Sequence, residues 1–291
     1  MSILVTGSTG KIGSQVVSKL VAKGAQVRAL TRSPEKATFP AGVEAVKGDL
    51  LDTTGVRTAL QGVSTLFLLV PNSPDEITQA MNTVGLAHDA GVRGIVYLSV
   101  TRSDVFADVP HFASKHAVER MMKKVGLEAT VLRPSYFFQN DIGQKEPMLG
   151  GGVYVSPIGE KGVSMVDIDD IAEAAARELL RREKSATPLP TEVYELVGPD
   201  ALTGDAVARI WTEALGREVK YGGNDLDAFE NKIAQLAPGW MAYDMRLMMH
   251  RYQKDGAAAS KGDVERLTAL LGRAPRSYRD FAQATAKDWT A

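Results

Sequence analysis

Apolar and polar positions change their rhythm in regular blocks along this chain. Ser2–Thr6 is a short, β-branched-rich apolar run, the pattern of a buried strand. From Lys11 to Lys23 the apolar residues Ile12, Val16, Val17, Leu20 and Val21 then recur at helical spacing. The alternation continues. Gln26–Leu30, Val43–Lys47, Thr65–Val70, Gly94–Val100 and Glu128–Leu132 read as strands, with Asp52–Gln61, Asp75–Ala90 and Phe112–Val125 as helices between them. After the second strand, Ser33-Pro34 supplies a serine cap and a proline suited to the first helical position. Apolar strands separated by amphipathic helices predict a parallel sheet covered on both faces, an α/β fold of the doubly wound, Rossmann type.

The rhythm breaks after Arg133-Pro134. Ser135–Val163 is rich in glycine, proline and aromatics and has no clear period. Asp167–Arg181 is an amphipathic helix, with Arg181–Lys184 as its solvated end, and Glu192–Val197 reads as a late strand returning to the sheet. From Thr203 onward the pattern is mostly helical, over Gly204–Leu215, Leu226–Leu236, Ala242–Tyr252 and Asp263–Leu271. The expected division is a nucleotide-binding Rossmann domain over 1–150, with 163–198 returning to it. Residues 151–162 and 199–291 then form a smaller, mostly helical substrate-binding domain.

Composition narrows the chemistry. The 291 residues are 44% hydrophobic and 24% charged, ordinary values for a protein with a real core. A formal charge of −1 gives no general reason to bind nucleic acid or an anionic membrane. The chain has no cysteine, which removes disulfides, thiolate nucleophiles and cysteine-held metals, and its four histidines are scattered. No apolar run approaches the roughly 20 residues that cross a bilayer. No leader pattern precedes the first strand, so a cytoplasmic location is expected.

The chemistry starts at the first turn. Thr6-Gly7-Ser8-Thr9-Gly10-Lys11-Ile12-Gly13 joins strand to helix through a G-x-x-G-x-x-G spacing. Glycine tolerates positive φ and lets the main chain approach a diphosphate, while the helix start supplies unbonded N–H groups and a positive dipole end. Dinucleotide binding is the expected function of this stretch. At the tip of the second strand, where an NAD site places a carboxylate, the chain has Ala29-Leu30-Thr31-Arg32-Ser33. Arg32 would meet a 2′-phosphate in a charge-assisted pair, with Lys36 adding charge, so NADP(H) is favoured over NAD(H). Asp49, in Gly48-Asp49-Leu50, is either an acceptor for the adenine amino group or a helix-entry residue.

Taken together, Thr6–Gly13, Gly48-Asp49-Leu50, Lys115, Leu132–Asn140, Val166–Asp170, Tyr194–Gly198 and Gly272–Phe281 resemble the NmrA-like branch of the atypical short-chain dehydrogenase/reductases. Within that branch the chain is similar to bacterial NADPH-dependent quinone reductases and triphenylmethane dye reductases. The resemblance implies a Rossmann domain, a small C-terminal substrate domain and NADP(H) in the cleft between them. The branch also holds proteins that bind NADP(H) as a redox signal without turning it over.

In the wider superfamily a Tyr-x-x-x-Lys pair binds the nicotinamide ribose and supplies a proton. Here Lys115 matches the lysine, while His111 occupies the tyrosine position. His111 is either a proton donor, one helical turn from Lys115, or a structural residue after Pro110. A quinone or cationic dye accepts hydride without an obligatory protein acid, since its product is delocalised or neutralised. Strand ends should line the nicotinamide pocket: Leu69, Val70 and Pro71, then Ser99, then Pro134, Tyr136 and Phe137. Asn72, Thr101, Phe138 and Tyr154 are the candidates for the substrate side. Asp167, Asp169 and Asp170 suit a helix N-terminus, and neither metal nor flavin is called for. The expected protein is a cytoplasmic NADPH-dependent reductase of quinone or dye-like aromatic acceptors, with a homodimer among the admissible assemblies. The alternative is a nonenzymatic NADP(H) sensor, and a nucleotide-sugar epimerase or dehydratase is disfavoured without the tyrosine.

Overall fold

β1 (Ser2–Val5) is an interior strand of a seven-stranded sheet in the computed structural model, which describes residues 2–290. The other strands are β2 (Val27–Thr31), β3 (Glu44–Lys47), β4 (Val63–Leu68), β5 (Gly94–Leu98), β6 (Ala129–Pro134) and β8 (Glu192–Leu196). Their spatial order is β3-β2-β1-β4-β5-β6-β8. β1 pairs in parallel with β2 (Ile3 opposite Val27) and with β4 (Leu4 opposite Leu66). The β2–β3, β4–β5 and β5–β6 pairs are parallel too. The chain therefore builds outward from β1 to β3, crosses back, and builds outward again from β4. This reversal leaves a crevice at the carboxyl ends of β1 and β4.

The reason for the pattern is burial on two faces. Every residue of β4 and β5 is buried, which is why those strands read as unbroken apolar runs. β3 is the edge strand and is mostly exposed. Helices α1 (Lys11–Ala22), α2 (Thr53–Ala59), α3 (Glu76–Asp89), α4 (Pro110–Lys124) and α6 (Ile168–Lys184) connect or flank the strands. α1 buries Ile12, Val16, Val17 and Leu20, the stripe its spacing predicts. Leu66, Leu68, Val84, Ile95, Tyr97, Val118 and Met122 share one core, joining β4 and β5 to α3 and α4. The doubly wound α/β fold is present as read, with element ends displaced by a few residues.

One expectation fails at the end of α6. Arg181–Lys184 is not a solvated tip: Arg182 is only 4% exposed. Its guanidinium donates to Thr130 Oγ1 at 2.7 Å and to the carbonyls of Leu189 and Pro190 at 3.0 and 2.9 Å. Glu183 accepts from the hydroxyls of Ser64 and Thr65. A guanidinium carries five donors in a fixed fork, so fixed carbonyls around it can replace water. Charge density along the sequence does not reveal such partners.

Contacts divide the described residues into two units. The first holds the residues through Ser103, His111–Arg133 and Asp169–Tyr194; the second holds Asp104–Pro110, Pro134–Ile168 and the residues from Glu195 on. The boundary read at 150, with 163–198 returning, compares with breaks at Arg133/Pro134, Ile168/Asp169 and Tyr194/Glu195. In the second unit the aperiodic stretch holds a 3-10 segment (Phe138–Gln144), α5 (Lys145–Gly151) and β7 (Val153–Tyr154), which pairs in parallel with β9 (Lys220–Tyr221). α7 (Gly204–Leu215), α8 (Leu226–Ala234), α9 (Gly239–Asp255) and α10 (Lys261–Leu271) match the four helices read there. α11 (Tyr278–Thr290) was not anticipated; it returns to α7, where Trp289 stacks on Trp211 with centroids 4.7 Å apart. Among the described residues, no helix is long and apolar enough to cross a membrane.

Leu66 sits fully buried in β4, in the core shared with α3 and α4. Leu66→Ala should cost about 2–5 kcal/mol, the range for a leucine cavity in a packed core. Urea unfolding should show a lower midpoint at an unchanged slope.

Candidate functional site

The glycine turn after β1 is shaped by contacts that exclude side chains. Gly7 adopts φ +60°, and a Cβ there would lie 2.5 Å from Leu69 Cδ2. A Cβ on Gly13 would lie 2.1 Å from the carbonyl oxygen of Gly7. The Gly10 N–H donates to that same carbonyl at 3.0 Å, closing the turn. Gly10 is the N-cap of α1 in extended geometry, and among the described residues no side chain caps the helix. The first N–H groups of α1 therefore have no side-chain acceptor, the condition that suits an anion. Ile12 and Gly13 are buried, whereas Thr9, Gly10 and Lys11 are exposed.

Buried hydroxyls pin the neighbouring strand ends to this turn. Thr6 Oγ1 donates to the Leu69 carbonyl at 2.8 Å and accepts from the Leu69 N–H at 2.9 Å, joining β1 to the end of β4. Ser8 Oγ donates to the Leu30 carbonyl at 2.7 Å, joining the turn to β2. The Gly48 N–H donates to the Thr31 carbonyl at 3.0 Å, joining the β3 end to β2. Arg32 follows directly. It is exposed, and its guanidinium has no hydrogen-bond or ion-pair partner among the described residues. Lys36 is exposed in the 3-10 turn Pro34–Lys36. Asp49 Oδ1 accepts from the Leu51 N–H at 2.9 Å in a local turn, Asp52 caps α2, and Leu50 is buried. An uncapped turn free of side chains at a helix start suits the diphosphate of a dinucleotide.

On the other side of β1, charge pairs join α3, α4 and β6. Leu69 is half-buried, Val70 buried and Pro71 exposed, and Asn72 follows on the way into α3. Lys115 Nζ contacts Glu76 Oε1 at 2.5 Å, joining α4 to the first turn of α3. Glu119, one turn after Lys115, accepts from Ser99 Oγ at 2.5 Å and Ser103 Oγ at 3.1 Å. Arg133 grips Glu119 with two bonds, Nε to Oε1 at 3.1 Å and Nη2 to Oε2 at 2.6 Å. Burial, with the nearby Glu76 and Glu119 charges, pushes the Tyr97 hydroxyl well above its usual range and keeps it neutral. His111 is the second residue of α4 and packs edge-on against Phe112, with centroids 4.6 Å apart. Thr101 is buried, and the next residue, Arg102, takes φ +54°. Sequence reading found neither Glu76 nor Glu119. The i, i+4 spacing to Lys115 could have flagged Glu119, but Glu76 is 39 residues from its partner.

The aromatic candidates after β6 belong to the core of the second unit. Tyr136, Phe138 and Tyr154 are buried there, as is Pro134, while Phe137 is half-buried and bridges to Val166. The phenols of Tyr136, Tyr154 and Tyr278 all donate to Asp141, at 3.2, 3.2 and 2.5 Å. Trp211 Nε1 donates to the Tyr278 hydroxyl at 2.9 Å. Phe138 packs edge-on against Tyr278. Asp141 was missed because a lone acidic residue in an aperiodic stretch carries no pattern. In the first turn of α6, Asp169 is ion-paired to Lys19 at 2.7 Å, and its carboxylate clusters with those of Asp170 and Glu173.

A sequence model of the NmrA-like family matches residues 1–275. The chain is 29% identical to an NAD(P)H azoreductase of Xenophilus azovorans over 98% of each chain. Among solved structures, an Escherichia coli NADPH-dependent quinone oxidoreductase complexed with NADPH superimposes with a TM-score of 0.86. It is 26% identical, over 97% of this chain and 99% of that one. The triphenylmethane reductase of Citrobacter sp. complexed with NADP(H) gives a TM-score of 0.83 at 26% identity, over 98% of this chain and 100% of that one.

Burial pushes the Asp141 carboxyl up to about 7, against the pull of its three phenol donors. Its folded value thus lies above the unfolded one, near 3.9. The associated stability is complete below pH 4 and is lost as pH rises through about 7. The loss runs at no more than about 1.4 kcal/mol per pH unit for one proton. Asp141→Asn should flatten this part of the pH–stability curve, as read by urea unfolding between pH 4 and 8.

Proposed function

The chain belongs to the NmrA-like family, and from that premise we propose that it is an NADPH-dependent reductase of flat, conjugated acceptors such as quinones or dye-like compounds. It is an NAD(P)H-dependent oxidoreductase, like the azoreductase and the quinone oxidoreductase it matches along nearly their whole lengths. The observation that carries the cofactor choice is the unpartnered Arg32, tied to the bare glycine turn through Ser8 and Leu30. A 2′-phosphate would give that guanidinium a charge-assisted, bidentate partner, which a plain ribose cannot do.

The residues divide the work between two halves of the crevice. The N–H groups at the start of α1 hold the diphosphate, with Thr6 and Ser8 fixing the turn that presents them. Arg32 and Lys36 hold the 2′-phosphate, and Asp49 and Leu50 border the adenine. Lys115 holds the ribose on the nicotinamide side, where Leu69, Val70, Pro71 and Ser99 line the pocket. Asn72 and Thr101 face the acceptor, and His111 serves as the proton donor for acceptors that need one. When bound, the reduced nicotinamide supplies the hydride. A quinone takes up that hydride and one proton to become the hydroquinone, so no covalent enzyme intermediate is required. We take the protein to work in the cytoplasm on small molecules.

Purified protein with NADPH and a panel of quinones and triphenylmethane dyes should consume reduced nicotinamide catalytically. Tight NADP(H) binding with no turnover across the panel would overturn the reading in favour of a redox sensor. Arg32→Ala should weaken NADPH by about 1.5–3 kcal/mol, the range for hydrogen bonds to a charged group, and leave NADH almost unchanged. Equal losses for the two cofactors, measured by calorimetry, would remove Arg32 from the specificity argument.

A further inference from the structure

Lys115 and Glu76 stand on different helices and are enclosed together, with side-chain exposures of 13% and 5%. An ammonium so far from water needs a counter-charge. Glu76 Oε1 supplies it at 2.5 Å, and it is the one partner of Lys115 among the described residues. That contact uses one of three ammonium donors and one of two carboxylate oxygens. The pair therefore keeps two donors and one acceptor, the complement of a vicinal diol, whose hydroxyls both donate and accept. Glu76 lies in the first turn of α3, where the helix dipole favours a carboxylate. Both helices follow strands β4 and β5, on the opposite side of β1 from Arg32.

Charge decides what the pair does beyond hydrogen bonding. Next to it, the charges of Glu119 and Arg133 already cancel in a two-bond clamp. With Glu76 in place, Lys115 also contributes no net charge. Without Glu76, one buried positive charge would remain on the nicotinamide side. Oxidised nicotinamide is a cation and the reduced ring is neutral, so an uncancelled ammonium repels only the oxidised form. A unit charge within about 7 Å, at an effective dielectric near 20, changes a binding constant by about tenfold or more.

We propose that Glu76 is a positioning residue of the cofactor site: it orients the Lys115 ammonium toward the ribose diol and cancels its charge, so that NADP+ and NADPH bind on similar terms. The ribose contact of Lys115 is taken from the function proposed above.

Calorimetric titration of the full-length protein with NADP+ and with NADPH, without acceptor, tests this role. The quantity to follow is the ratio of the two dissociation constants. Glu76→Gln preserves shape and removes the charge, and it should raise the NADP+ to NADPH ratio by about tenfold. Lys115→Met removes the ammonium and should lower that ratio, while weakening both cofactors. Removing both charges in E76Q/K115M should return the ratio to the wild-type value. A ratio that stays within about twofold of wild type in both single variants overturns the role. Should E76Q fail to fold, the ratio in K115M alone decides, and a wild-type value there overturns it as well. If the wild-type protein binds neither cofactor, the cofactor reading itself falls and takes this role with it.

Discussion

The structure depends on how four strand ends are drawn against one glycine turn. Thr6 reaches from β1 to the end of β4, Ser8 reaches from the turn to β2, and Gly48 ties the β3 end to β2. The Thr6 and Ser8 side chains are fully buried, so breaking either bond would leave a hydroxyl away from water. Gly13 allows the helix to start directly against the Gly7 carbonyl, a spacing that no other residue could occupy without moving the main chain. The outcome is a bare turn at the start of α1 where, among the described residues, no side chain caps the helix. Affinity for a diphosphate follows from what the fold leaves unsatisfied.

Two enclosed ion pairs lie on the other side of β1. Glu76 with Lys115 and Glu119 with Arg133 connect α3, α4 and β6 close to the strand ends. Buried ion pairs contribute little net stability, because desolvation offsets most of the Coulomb attraction. Their value lies in fixing where an ammonium points and what net charge a ligand meets. The Asp141 cluster in the second unit works by another rule. Three phenols surround one carboxyl, and burial outweighs all three donors in setting its protonation. The folded state there favours the proton, not the charge.

Legibility followed the range of the interaction. The glycine turn, the Arg32 position and the helix spacing of His111 and Lys115 are local facts, and all were visible in the residues. Glu119 lay within reach of the same helical argument and was passed over. Arg182 looked like one more charge at a helix end, yet it is buried against the carbonyls of Leu189 and Pro190. Tyr136, Phe138 and Tyr154 are pocket candidates by residue type, but their partners are not legible in the chain: Phe138 packs on Tyr278, and the Tyr136 and Tyr154 hydroxyls meet Asp141.

Sequence alone determined the doubly wound class, the strand that opens it and the turn that bares its main chain. Those follow from periodicity and from glycine's freedom of φ, which act over a few residues. Tertiary structure decided which charges are cancelled and which are left open. It paired Lys115 with Glu76 across 39 residues, gave Asp141 its three phenols, and left Arg32 unmatched in solvent. The reason is physical: desolvation and Coulomb energy depend on distance in space, and the folded chain alone sets that distance.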